Sequence, residues 1–349
     1  MKFTAGLHRM HLRHALLCLA LVWMPSANSV NEFAPAVLWP EGEFSERNPF
    51  PLKVYEGVTL FERFHNIRVT KYRGPNAQRS AKSILLQAIA QNANPIFAFG
   101  VAYQEPIKEL SGFYPQVTFV LIDGLSVAAD NVLSVTFANE EGGFLMGVLA
   151  ARITESRTVG FIGGMNNPSI RNFACGYKQG VSYISKDIQV LYSMIGDTAQ
   201  AFNNPKQAKS LAIQQYEQGA DIIFHASGGS GIGVFNAAQE KQKYAIGVDA
   251  NQNALQPGRI VTSLLKRIDV VAYSMLRNAL QRQLIPGKLR VGILDGALDW
   301  SLDEYNAAFF EAHVKAEMDI TMAKLASGEI EVVAIPHEQC GFVSAKLPS

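Results

Sequence analysis

Cysteine is scarce in this 349-residue sequence, with three residues at positions 18, 175 and 340. That excludes a disulfide-dense scaffold and a cysteine-rich zinc site. Charge imbalance is missing as well: Lys+Arg total 31 against Asp+Glu 30, a net charge of +1. No general attraction to nucleic acid or to an anionic membrane surface is expected. After Met24 no apolar run is long enough to span a bilayer. Reactive motifs are lacking too. There is no His-Glu-x-x-His, no Gly-Lys-Ser/Thr phosphate loop, and no G-x-S-x-G frame around Ser227 or Ser230. His337 and Cys340 are two ligand types near a chain end and make no zinc site. Cys175 falls in an amphipathic stretch, a poor setting for a nucleophile. These absences argue against an enzyme, a bound metal and a cofactor.

Hydrophobic residues make up 48% of the chain, and its length favours two domains. The first segment stands apart. "MKFTAGLHRMHLRH" carries Lys2, Arg9 and Arg13 without an acid, "ALLCLALVWM" is a short apolar run, and "PSANS" offers small residues to a peptidase. The pattern is that of a signal peptide over residues 1–29, cut after Ala27 or Ser29, with a tethered N-terminal helix as the other reading. Its removal takes the net charge to about −2. Cys18 lies inside the apolar run, with leucines before it and more apolar residues after it, a poor setting for lipid attachment. Cys175 and Cys340 then either pair in an oxidising compartment or remain two buried thiols.

The rest of the chain alternates. "NIRVTKYRG", "PIFAFG", "VTFVLIDG" and "NVLSVTF" read as strands, separated by the helical "NAQRSAKSILLQAIAQNA" and the broken "YQEPIKELSGFYP". "TVGFIGG", "IQVLYSMIG", "DIIFHAS" and "YAIGVD" repeat the rhythm, with "IVTSLL" and "LRVGILDG" to follow. Continuous apolar strands between amphipathic helices predict parallel sheets covered on both faces. Two α/β modules in series are expected, joined near residues 131–138. Before them, "ERNPFP" reads as a loop, "APAVLWP" as a shortened first strand, and "LKVYEGVTLFERF" as a helix. "EVVAIP" reads as a last extended piece.

One stretch needs separate treatment. "HASGGSGIGVFNAA" holds Gly228, Gly229, Gly231 and Gly233 between a strand and a helix. No frame fits G-x-G-x-x-G, since the third glycine position is Val234 or Asn236. Two readings remain: a backbone that comes close to a polar ligand, or a tight turn that needs glycine for its dihedral angles alone.

"TVGFIGGMNNPSIRNFACGYKQGV", "YEQGADIIFHASGGSGIGVFNAA", "KYAIGVDANQ" and "VTSLLKRIDVVAY" resemble, in order, segments of the basic membrane protein family. "YPQVTFVLIDG" and "NVLSVTFANEEGGFLMGVLAA" are similar to its earlier segments. The resemblance spans roughly residues 55–297. It implies an α/β architecture of the first periplasmic-binding-protein type, with two Rossmann-like three-layer lobes joined by three crossovers. Lobe one is expected at 30–135 and 264–288, lobe two at 136–263 and 289–349. It also implies a monomeric receptor in the periplasm that binds a nucleoside, most simply a purine nucleoside, and delivers it to an ABC permease in the inner membrane.

The resemblance carries over individual residues. Asp123 ends "VTFVLIDG", Asp249 ends "GVD", and Lys266 ends "SLLK". Carboxylates can accept the hydroxyl hydrogens of a ribose diol, and a lysine can donate to a sugar oxygen or a ring atom. Such folds bind ligands at strand ends. Each residue also has a plainer reading, as a helix cap for the aspartates and as an exposed base for Lys266. Gly229 and Gly231 are expected to line the cleft, and Phe50 and Phe202 to flank a base. His225, beside the glycines, reads more simply as a structural donor. The loop before the first helix departs from the family pattern of an Asp followed by Ser-Phe-Asn. Aligned back from Tyr55–Gly57, Phe50 keeps the aromatic position, Arg47 replaces the acid and Pro51 the asparagine. Asn48 is the nearby substitute. The rival functions are a sensory receptor module, a structural surface protein with a decayed cleft, and a nucleoside-cleaving enzyme.

Overall fold

A computed structural model of the chain describes residues 33–41, 45, 47–76, 78–334, 340 and 342–344. The expected signal peptide with Cys18, and His337, lie outside the described residues. The first part gives β1 (Ala36–Leu38), α1 (Pro49–His65), β2 (Thr70–Tyr72), α2 (Ala81–Ala90), β3 (Ile96–Phe99), α3 (Gln104–Leu110), β4 (Phe119–Ile122) and β5 (Val132–Phe137). The second gives α4 (Asn139–Ile153), β6 (Thr158–Met165), α5 (Pro168–Ile184), β7 (Gln189–Gly196), α6 (Pro205–Glu217), β8 (Ile222–Ala226), α7 (Gly231–Lys241), β9 (Tyr244–Asp249) and β10 (Ile260–Lys266). α8 (Ile268–Leu280) and β11 (Gly287–Val291) follow, then β12 (Leu298–Trp300), α9 (Ala312–Ser327) and β13 (Val343–Ser344).

Among the described residues these strands form two sheets. The first has the order β11-β5-β4-β3-β1-β2 and the second β12-β10-β9-β8-β6-β7-β13. Pairing is parallel in both except for β12, which runs antiparallel to β10. β3 and β4 are buried along their whole length, as two-sided helix cover requires. The order β5-β4-β3-β1-β2 matches β10-β9-β8-β6-β7 strand for strand, so each lobe has an equivalent of every central position in the other.

The chain leaves the first sheet after Phe137, returns after Lys266 and leaves again after Val291. The expected limits at 135/136, 263/264 and 288/289 fall inside β5, β10 and β11. We place the crossings at Ala138, Arg267 and Gly292, because each strand completes its register before the chain crosses. Two further differences are local. "ERNPFP" is not all loop: α1 begins at Pro49, where the fixed proline φ suits a first helical turn, and Phe50 is therefore in a helix. The segment 331–334 makes neither helix nor strand, and β13 supplies the last extended pairing instead.

α4 and α5 hold the second lobe to its first crossing. Glycines on both helices let their backbones meet. A Cβ on Gly143 would lie 2.2 Å from the Phe173 carbonyl oxygen, and one on Gly180 would lie 2.0 Å from that of Phe144. On the same α5, Cys175 forms a disulfide with Cys340, Cα to Cα 5.5 Å. The bridge anchors the C-terminal segment, where Phe342 stacks on Tyr192 at 4.5 Å. Of the two readings left open for these cysteines, the structure has the pair.

Candidate functional site

The cleft lies at the carboxyl ends of both sheets, where the strand order reverses on either side of β1 and of β6. Its space, about 1050 Å³ with the open mouth counted in, is lined by residues of both lobes. The equivalence of the lobes explains what faces it. Asp123 follows β4 and Asp249 ends β9, at matching places, with φ of 61° and 71°. This left-handed conformation suits aspartate better than most residues. Gly100 after β3 and Gly228 after β8 also match, with φ of 94° and 54°. Asn48 and Asn167 each precede the proline that opens the helix following a matching strand, β1 and β6.

Lys266 ends β10 and is 3% exposed. Its Nζ donates to Asp123 Oδ1 at 2.7 Å, an ion pair from one lobe to the other. The ammonium also lies over three rings, 4.6 Å from the centre of Phe137, 5.6 Å from Phe173 and 5.9 Å from Phe50. Cation–π attraction of this kind holds the charge where water cannot. Asp249 is 8% exposed, and its carboxylate has no hydrogen-bond partner among the described residues. Burial pushes its pKa up to about 6; Lys266 opposes that shift and Asp123 adds to it.

The cleft gathers Asp123, Asp249, Lys266, Phe50, Phe202 and Asn48 on its walls. Gly229 and Gly231 do not line it. Gly229 sits on the seam between lobes, where a Cβ would lie 3.3 Å from the Phe202 carbonyl oxygen and 3.5 Å from Asn48 Cβ. Gly231 opens α7 against His225, and a Cβ there would lie 2.0 Å from the imidazole Cε1. His225 is buried, its ring meets Phe235 edge-on at 5.0 Å, and burial pushes its pKa down to about 3, with Gln252 opposing. It is a neutral packing residue. Gly231→Ala is therefore expected to destabilise the protein by about 1–3 kcal/mol through overpacking, with the cleft groups intact; denaturant unfolding measures it. The glycine cluster thus serves two needs. Gly228 turns the backbone at the cleft, and Gly231 gives room to a histidine behind it.

Sequence reasoning missed the contribution of α5. Asn167, Ser169, Ile170 and Phe173 all line the cleft. "NNPS" reads as an ordinary helix start and Phe173 as an ordinary core position, so only the equivalence of Asn167-Pro168 with Asn48-Pro49 could have marked them.

Residues 37–335 match the family described as ABC transporter substrate-binding protein PnrA-like. Basic membrane protein D of Borreliella burgdorferi (strain JD1) is 30% identical over 220 residues, 61% of this chain and 63% of that protein, so the match spans just under two thirds of that relative's length. The ABC transporter nucleoside-binding protein BmpA of Lactococcus lactis subsp. cremoris is 29% identical over 297 residues, covering 79% of this chain and 84% of that one. A solute-binding protein of an ABC transporter system from Aeropyrum pernix K1 superposes with a TM-score of 0.77 at 22% identity, over 88% of this chain and 95% of that one. That likeness shows a shared fold, the two-lobed solute-binding architecture.

Proposed function

The chain belongs to the PnrA-like family of ABC transporter substrate-binding proteins, and on that premise we propose that it captures a nucleoside in the cleft and hands it to an importer permease outside the cytoplasm. The family binds and delivers a solute and is not catalytic. The observation that carries the nucleoside reading is Asp249: a buried carboxylate in the cleft, without a partner among the described residues. Such a group is costly unless something donates to it. A sugar diol would supply two hydroxyl hydrogens. Phe50, Phe173 and Phe202 offer flat apolar surface to a base. The nucleoside named for the Lactococcus relative points the same way. Closure would be favoured by the ligand, because the two lobes share it only when shut.

Isothermal titration of the purified mature protein with inosine, adenosine, guanosine and uridine, beside ribose and glucose, tests this. A nucleoside bound in preference to free sugars is the expected result, and a preference for free sugars rejects it. The pH dependence follows from Asp249. A diol binds the ionised carboxylate, while the free protein holds a proton on it below about 6. Affinity should be level above about pH 7 and fall by up to about tenfold per pH unit well below 6, with proton release on binding. A flat profile from pH 8 to pH 5 would place the ligand away from Asp249.

A further inference from the structure

We propose that Asn167, the N-cap of α5, and Ser169 in its first turn form a donor face that reads hydrogen-bond acceptors on the ligand's base, its ring nitrogens or carbonyl oxygens. The inference rests on the nucleoside reading and deepens it. Asn167 is 7% exposed and lines the cleft. Its Oδ1 caps α5 by accepting the Ile170 amide at 3.0 Å. That bond fixes the carboxamide, and it leaves Nδ2, which has no partner among the described residues, as the group free for the cleft. Ser169 is set up in a similar way. Asn139, 2% exposed at the first crossing, donates Nδ2 to Ser169 Oγ at 2.7 Å. With one lone pair of that oxygen engaged, the hydroxyl proton remains free to be donated into the cleft. The positive end of a 17-residue helix lies behind both groups.

The two sides of the cleft therefore ask for opposite things. Asp249 takes hydrogens from the ligand, and the α5 face gives them. A ligand that satisfies both gives hydroxyl hydrogens to Asp249 and acceptor atoms to the α5 face, as a purine nucleoside does with its diol and its ring nitrogens. Asn167 is thus a specificity-determining residue, and its use as a helix cap explains why its amide has one orientation. Asn48, its equivalent in the other lobe, makes no side-chain cap bond and has no such constraint.

The test uses two variants that keep the cap. Aspartate and serine both cap helices well, so Asn167→Asp and Asn167→Ser should melt close to wild type without ligand, yet neither presents the amide donor. Each is expected to bind inosine about tenfold more weakly, the scale of one lost hydrogen bond at a buried contact. Ser169→Ala is expected to weaken inosine by a similar factor. If wild type binds inosine and all three variants bind it as tightly, the donor face is rejected and the nucleoside reading stands. If wild type binds no nucleoside, the nucleoside reading falls and the donor face falls with it.

Discussion

Asp249→Asn will melt at a higher temperature than wild type at pH 7.5 and will bind nucleoside about a hundredfold more weakly. The two effects have one cause. Burial holds the Asp249 pKa near 6 in the folded protein, about two units above the ordinary 3.8. A raised carboxylate adds stability at pH values below its unfolded pKa and loses that contribution as pH climbs through the folded value. At pH 7.5 the charged group therefore costs the fold about 3 kcal/mol at most. A neutral amide of the same shape removes that cost, and a gain of several degrees is the expected reading in a thermal melt. The loss of binding comes from the other side of the balance. Charge-assisted hydrogen bonds from two ligand hydroxyls each contribute roughly 1.5–3 kcal/mol, and an amide replaces only part of that. The variant should also lack the gain in stability expected of wild type between pH 7.5 and pH 5. A variant less stable than wild type would overturn the account of Asp249 as a group strained for binding. A variant with unchanged affinity would remove it from the site.

Much of the architecture was written in periodicity. Apolar runs such as "FVLI" and "IIFHA" could only be strands covered on both faces, and the helices between them demanded parallel pairing. The three polar groups at the ends of "LID", "GVD" and "LLK" came from the family resemblance, and parallel strands ending on one side of a sheet give the physical reason they face one cleft. What stayed hidden depended on distance in three dimensions. Nothing local marks Lys266 as the partner of Asp123, 143 residues away. β12 is three residues long and pairs antiparallel at an edge, too short a pattern to read. Gly231 looked like a ligand contact because glycine is used alike for a turn and for close packing; only the imidazole beside it separates the two. Asn167 is a helix cap, but capping occupies one atom of its amide and leaves the other for the cleft.

Lys266→Met carries the second large effect, and it is opposite in sign to the first. The lysine is the one cation among the cleft-lining side chains at Asp123 and Asp249, and it joins the lobes through its 2.7 Å bond to Asp123. Methionine fills most of the volume among Phe50, Phe137 and Phe173 but leaves both carboxylates facing each other without compensation. Removing one partner of a buried pair typically destabilises by about 3–5 kcal/mol, and that loss is expected at pH 8. Without the lysine Asp249 loses the charge that opposes its upward shift, so its folded pKa rises further above its unfolded one. Stability is then recovered as pH falls, more steeply than in wild type, because a carboxylate with a raised folded pKa contributes most when protonated. Adding Asp249→Asn to Lys266→Met should restore more stability at pH 8 than Asp249→Asn adds to wild type, a non-additivity expected of groups that interact directly. Denaturant titrations of wild type, both single variants and the double variant at pH 8 and pH 5 measure every term. Equal stability of Lys266→Met and wild type at pH 8 would show that the ammonium does not hold the two carboxylates in place, and the charge balance proposed for the cleft would have to be abandoned.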